Sequence, residues 1–176
     1  NDQLRDVYEK CQPLIIELYN KMEQSSKLYK ALNTLLEINE LNDIEYRIVD
    51  NMSKSMYLGG VNLLKDKKKR FNEINIELAD LSNTFSNNVL DSTKEFELIL
   101  TKKSEVEGLP QSTLSLYSQK AVEKGNESTP EEGPWIITLD GPSFLPAMKH
   151  LKSSEIRKKI YIEYITRASK GKYDNT

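Results

Sequence analysis

The 176 residues hold one cysteine, one histidine and one tryptophan. Cys11 has no internal partner for a disulfide, and a lone thiol fits a reducing compartment. His150 sits in Met148-Lys149-His150-Leu151-Lys152 with no second His or Cys at ligand spacing. A zinc site takes three or four ligands of the right type, so His150 reads as a histidine at a helix end, facing solvent or a C-terminal dipole. Glycine is scarce. Gly59-Gly60-Val61-Asn62 and Gly171-Lys172 lack the spacing of a phosphate-cradling loop. There is no Gly-x-Ser-x-Gly, and a histidine general base would have to be His150 alone. No run of about 18 apolar residues is present, which excludes a membrane-spanning helix. Charged residues make up 30% yet balance to a net charge of −2, so no basic surface argues for nucleic acid. The opening Asn1 to Asp6 is polar and acidic and reads as no secretory signal, and it lacks a Met, as a processed or cut chain would. Two triplets of the glycosylation type, at Asn51 and Asn126, carry little weight without such a signal. The expectation is a cytoplasmic or organellar chain with no catalytic, cofactor-binding or metal residue of its own.

What the sequence does have is helical periodicity. Phe71, Ile74, Leu78, Leu81 and Phe85 fall at steps of 3, 4, 3 and 4 in a stretch from Lys65 onward that Gly and Pro do not interrupt until Gly108. That spacing holds one apolar stripe on one side of a helix. After Thr93 the period changes to two, with Phe96, Leu98 and Leu100 alternating with Glu95, Glu97 and Ile99, as on a strand. The fold class expected is mainly α: a single helical domain over 1–176, with a long central helix, two short strands, and the rest packed against the helix and the strand it leads into.

Around this centre the chain reads as follows. Leu4, Val7, Tyr8, Cys11, Leu14, Ile15, Leu18, Tyr19 and Met22 form an amphipathic pattern containing Pro13. A proline inside a helix removes a hydrogen bond and clashes with the previous turn, so either two helices meet there or one bends. Ser25 or Ser26 caps a second helix, with Leu28, Tyr29, Leu32, Leu35 and Leu36. Asn42 with Glu45 forms a capping box for a third, which carries Ile48, Val49, Met52 and Met56 and stops at Gly59-Gly60. Beyond the strand, Ser112 to Lys124 is helical, with Leu114, Tyr117 and Ala121 on one side. Gly125 to Pro134 is loop, and Trp135 to Leu139 is a second strand that can pair with Phe96 to Thr101. Ser143 to His150 is a short helix with Pro146 near its first turn. A last helix, capped by Ser153 or Ser154, turns Ile156, Ile160, Tyr164, Ile165 and Ala168 inward. The tyrosines, at helical spacings, read as core or half-core. Tyr173-Asp174-Asn175-Thr176 ends on helix-capping residue types, read either as a polar tail or as the start of a helix in a longer protein.

The charged clusters read as solvated faces. Lys65 to Arg70 is the densest positive run, but it lies at a helix start with Asp66 and Glu73 close by. Glu131-Glu132 lies in the loop.

Several segments in order resemble one family: Leu81 to Thr93, Glu105-Val106-Glu107-Gly108-Leu109-Pro110, Trp135 to Pro146, Arg157-x-x-x-Tyr161-x-x-Tyr164-x-Thr166-Arg167-Ala168-Ser169, and Tyr173-Asp174-Asn175. Together they resemble the N-terminal region of the zinc oligopeptidases of the oligopeptidase A, thimet oligopeptidase and neurolysin group. The resemblance implies a largely helical, two-lobed enzyme with a channel for short peptides. Its zinc is held by His-Glu-x-x-His and a downstream Glu, and the first Glu activates the attacking water. Here His150 is followed by Leu151-Lys152-Ser153-Ser154, so no zinc or catalytic residue carries over. What the resemblance implies for this chain is channel wall and scaffold, with short peptides or the missing catalytic lobe as partners and zinc only in the full-length family. The other reading is a non-catalytic helical module that binds peptides, a partner protein or itself. The polar Ser86-Asn87-Asn88 segment is expected to order the exit from helix to strand rather than to do chemistry.

Overall fold

The computed structural model describes residues 2–38 and 40–176, in two compact units, 1–83 and 84–176. Among the described residues there are seven α-helices and two short strands, so the protein is mainly α.

The first unit holds α1 (Asp2–Glu23), α2 (Ser26–Glu37), α3 (Asp43–Leu58) and the first part of α4 (Lys65–Glu95). Pro13 lies inside α1, which continues through it as one helix. Ser25 caps α2 by accepting from the Leu28 N–H. Asn42 Oδ1 accepts from the Ile44 and Glu45 N–H groups while Glu45 Oε2 accepts from the Asn42 N–H, the reciprocal box that satisfies orphan donors at a helix start. α2 packs on α3 around a small core of Leu32, Met56 and Val61, flanked by Tyr29 and Val49. α3 stops at Gly59, and Gly60 follows with φ +87, a backbone state that favours glycine.

The second unit holds the rest of α4, then β1 (Leu98–Leu100), α5 (Gln111–Glu123), β2 (Trp135–Ile137), α6 (Gly141–His150) and α7 (Ser154–Ile165). β1 and β2 pair antiparallel, with Leu98 opposite Ile137 and Leu100 opposite Trp135. The period-two reading holds on β1: Leu100 is buried and Ile99 exposed. α5 lies against β2, and α6 against α5 and α7. Their shared core includes Tyr117, Trp135, Ile137, Leu139, Ala147 and Ile160. α6 starts two residues before the expected Ser143, because Asp140 caps it and Pro142 occupies its first turn; Pro146 therefore lies inside the helix. Gly108 turns at φ +95 where a Cβ would come within 2.2 Å of the His150 carbonyl oxygen, so only glycine lets these two backbones approach.

One expectation fails clearly. α4 has no buried residue, and its stripe does not form the centre of a core: Ile74, Leu78, Leu81 and Phe85 are all exposed. In the last helix Ile160 is fully buried but Ile165 is exposed, and Ala168 is buried beyond the helix end. The tyrosines also divide: Tyr117 is buried, while Tyr8, Tyr19, Tyr46 and Tyr57 are exposed.

Candidate functional site

In the first unit α1 and α4 meet through polar side chains. Gln12 Nε2 donates to the Ala79 carbonyl (3.3 Å), Asn75 Nδ2 to Asn20 Oδ1 (3.1 Å), and Gln24 Nε2 to Asn72 Oδ1 (2.6 Å) and to the Gly59 carbonyl (3.0 Å). Asn83 Nδ2 donates to Glu9 Oε1 (3.4 Å). These residues recur at helical spacing on one edge of each helix, so the seam is a ladder of amides. Asn20 is only 6% exposed, and its Nδ2 has no partner, which for a buried donor costs about 1–3 kcal/mol. Two grooves of about 370 Å³ each flank the seam. One has Pro13, Ile16, Ile76 and Ala79 on its walls with Glu9 and Asp80; the other is lined by Asn20, Gln24, Lys69 and Asn72, and both touch Glu73.

The consequence is that α1 faces inward with the edge a sequence reader would expose. Its apolar stripe points to solvent, with Leu14 66% and Leu18 58% exposed. Exposed apolar side chains on a soluble surface are ordinary when single and informative when contiguous.

The second unit has a satisfied polar network. Tyr117 is fully buried and donates its hydroxyl to the Ser143 carbonyl (2.6 Å), and burial pushes its pKa up to about 12. Lys120 Nζ donates to Asp140 Oδ2 (2.7 Å) and Thr138 Oγ1 (2.9 Å), and Thr138 Oγ1 also donates to Asp140. Burial pushes the Asp140 carboxyl up, but the hydrogen bonds from Lys120, Thr138 and the Ser143 N–H together hold it below the usual carboxylate range. The network ties α5 and the end of β2 to the start of α6. The Asp140 carboxylate is engaged by Lys120, Thr138 and the Ser143 N–H, so the network reads as a structural tie.

The residues singled out from the sequence are placed as follows. His150 is the last residue of α6 and half-buried, at a helix C-terminus. The Lys65 to Arg70 run opens α4; Lys68 Nζ donates to the Val61 carbonyl, and Arg70 and Lys69 lie 3.5 and 4.0 Å from Glu73. Glu131 accepts from Gln111 Nε2 in the exposed loop. Asn88 Nδ2 donates to Asn175 Oδ1 (2.8 Å), Asn175 Nδ2 to the Phe85 carbonyl (3.3 Å), and the Ala168 N–H to Ser92 Oγ (3.0 Å). The polar segment of α4 therefore clasps the C-terminal segment, a partner that periodicity could not name. Among the described residues no three of His, Cys, Asp and Glu stand close enough to hold a metal ion. Among the described residues no helix is long and apolar enough to cross a membrane.

Comparison with known proteins gives the chain its relatives. Residues 1–69 match the family described as "Neurolysin/Thimet oligopeptidase, N-terminal domain". Over 178 residues and 99% of this chain, 44% of positions are identical to the "Probable cytosolic oligopeptidase A" of Arabidopsis thaliana, and 44% to its "Organellar oligopeptidase A, chloroplastic/mitochondrial". "Oligopeptidase A" of Escherichia coli (strain K12) is 35% identical over 182 residues, again 99% of this chain. The aligned part is 25%, 22% and 26% of those three proteins, so the chain spans about a quarter of the length of the relatives it matches. The chain matches the N-terminal part of the oligopeptidase A, thimet oligopeptidase and neurolysin group.

Proposed function

We propose that this chain is the non-catalytic N-terminal part of an oligopeptidase A-like zinc peptidase that degrades short peptides. Its two units serve as one region that forms wall of the peptide channel and supports the catalytic lobe. The observation that carries this reading is the outward apolar stripe on α1 and on the first part of α4, which a self-sufficient unit would bury. The match to oligopeptidase A along nearly the whole chain supports it. Zinc belongs to the part of the polypeptide that carries His-Glu-x-x-His, and a reducing compartment, cytoplasmic or organellar, suits the single exposed thiol. The test is cleavage of a quenched-fluorescence peptide by the purified 176-residue chain with added zinc. No cleavage is expected; cleavage that follows the purified chain and stops with a chelator contradicts the reading.

The second reading, a non-catalytic module that binds peptides or a partner protein, is favoured by the grooves along the amide seam and the unpartnered Asn20 Nδ2 beside them. Titration of a labelled peptide separates the two: saturable binding to this chain alone, lost in Asn20→Leu, favours the module.

A further inference from the structure

The second groove beside the amide seam is walled by charges and amides, with Ile76 its one apolar side chain. Asn20 lines it and is 6% exposed. Asn20 Oδ1 accepts from Asn75 Nδ2 (3.1 Å), and Asn75 is not one of the walls. The Oδ1 end of the amide therefore turns away from the groove, and the Nδ2 end, which has no partner, turns toward it. The neighbouring amides leave it no acceptor, because Gln24 and Asn72 donate to each other (2.6 and 3.3 Å). A buried N–H that meets no acceptor inside the protein is satisfied only by one from outside.

The charges around that N–H select the acceptor. Gln24 stands opposite Asn72 and Asn20 opposite Asn75, so α1 and α4 run antiparallel and the groove has two ends. Glu17 lies toward one end, and Lys21, one turn on along α1, lies toward the other. Lys54 and Asp50, at the same spacing, close an ion pair at 2.7 Å, whereas among the described residues Glu17 and Lys21 form none with each other. Glu73 on the facing wall is already flanked by Lys69 (4.0 Å) and Arg70 (3.5 Å). The groove thus sets an N–H beside an ammonium, with a carboxylate one turn away, in about 370 Å³. A simple anion is opposed by Glu17 and a simple cation by Lys21. A small zwitterion with both charges on one carbon answers the two together, and a peptide, whose terminal charges are far apart, does not.

We propose that this groove is a binding site for a free α-amino acid. The ligand carboxylate accepts from Asn20 Nδ2 and Lys21 Nζ, and its ammonium donates to Glu17. The inference rests on the second reading above and deepens it by naming the ligand of the groove.

The experiment titrates L-alanine into the ¹⁵N-labelled 176-residue chain and follows the Asn20 side-chain NH₂ resonances, assigned by their loss in Asn20→Asp. A saturable shift in the millimolar range is expected. Asn20→Asp keeps the acceptor for Asn75 and removes the N–H; followed at the backbone amides of 17–24, it should weaken binding by more than about tenfold. Glu17→Gln and Lys21→Gln are exposed substitutions that leave the circular dichroism unchanged, and each should weaken alanine by about threefold or more. N-acetyl-alanine, which lacks the ammonium, should bind about tenfold less well than alanine and be indifferent to Glu17→Gln. No saturable shift, as when a water alone meets Asn20, overturns the proposal. So does equal binding of alanine and N-acetyl-alanine, and so does unchanged alanine binding in both Glu17→Gln and Lys21→Gln. Saturable binding of the labelled peptide without any of alanine overturns this inference and leaves the second reading standing; binding of alanine without the peptide does the reverse.

Discussion

Residues 1–83 and 84–176 are matched in size and treat their apolar side chains in opposite ways. The second unit closes a core around Tyr117, Trp135, Ile137 and Ile160, each 1% exposed or less. The first closes only a small cluster at Leu32, Met56 and Val61 and joins α1 to α4 by hydrogen bonds between amides. Apolar burial is non-directional and scales with area, whereas an amide ladder fixes register with little net energy per bond. Among the described residues the second unit therefore buries much the larger apolar core, and the first leaves its α1 and α4 stripes exposed.

The contrast can be broken most severely at Trp135. Trp135→Ala removes a fully buried ring and should cost about 3–5 kcal/mol, read as a lower urea midpoint for the second unit. Leu18→Ala, of similar chemical character but exposed, should stay within about 0.5 kcal/mol. If the two substitutions cost the same, the difference between the units is not real. Next comes Gly108→Ala, which combines φ +95 with a Cβ against the His150 carbonyl and should cost more than about 1 kcal/mol by the same urea measurement. Asn42→Ala, which removes the α3 cap, should destabilise the first unit by about 1 kcal/mol and leave the second unchanged. For the C-terminal clasp, Asn88→Ala and Asn175→Ala should each cost about 0.5–1.5 kcal/mol and fall short of additivity when combined, as shared partners do.

Asp140 sharpens the comparison through pH. Its folded carboxyl titrates below the ordinary value of 3.8, so the stability it confers is present above that value and is lost as pH falls through the lower, folded one. The melting temperature of the second unit should therefore carry the full Asp140 contribution, with no pH dependence from it, between neutrality and about pH 5, and should fall in more acid solution. Asp140→Asn should flatten that acid slope; an unchanged slope contradicts the network as drawn.

Most elements were legible because local chemistry decides them. Ser25, Asn42 and Ser153 announce their helices by capping, Leu98 and Leu100 alternate as a strand does, and Trp135 to Ile137 is apolar and β-branched enough to pair with them. Periodicity also found the stripes on α1 and α4. It could not say which way they point. A stripe that meets a neighbour in the same unit and one that awaits a helix from elsewhere have the same spacing, and Leu78 carries no mark that tells them apart. The amide ladder was hidden for a related reason: Gln12, Asn20, Gln24, Asn72 and Asn75 look like a solvated edge until two such edges are brought together. Asn88 was noticed for its polarity, but its partner Asn175 lies 87 residues away, beyond any local rule.

The account turns on the claim that the second unit, with the larger buried core, is the more firmly held of the two. Amide hydrogen exchange on the 176-residue chain, resolved by residue, tests it most directly. The account predicts that amides of β1, β2 and α5 exchange only through the largest openings of the chain, while those of α1 exchange orders of magnitude faster through local opening. Protection of α1 equal to that of β2 in the isolated chain would contradict it.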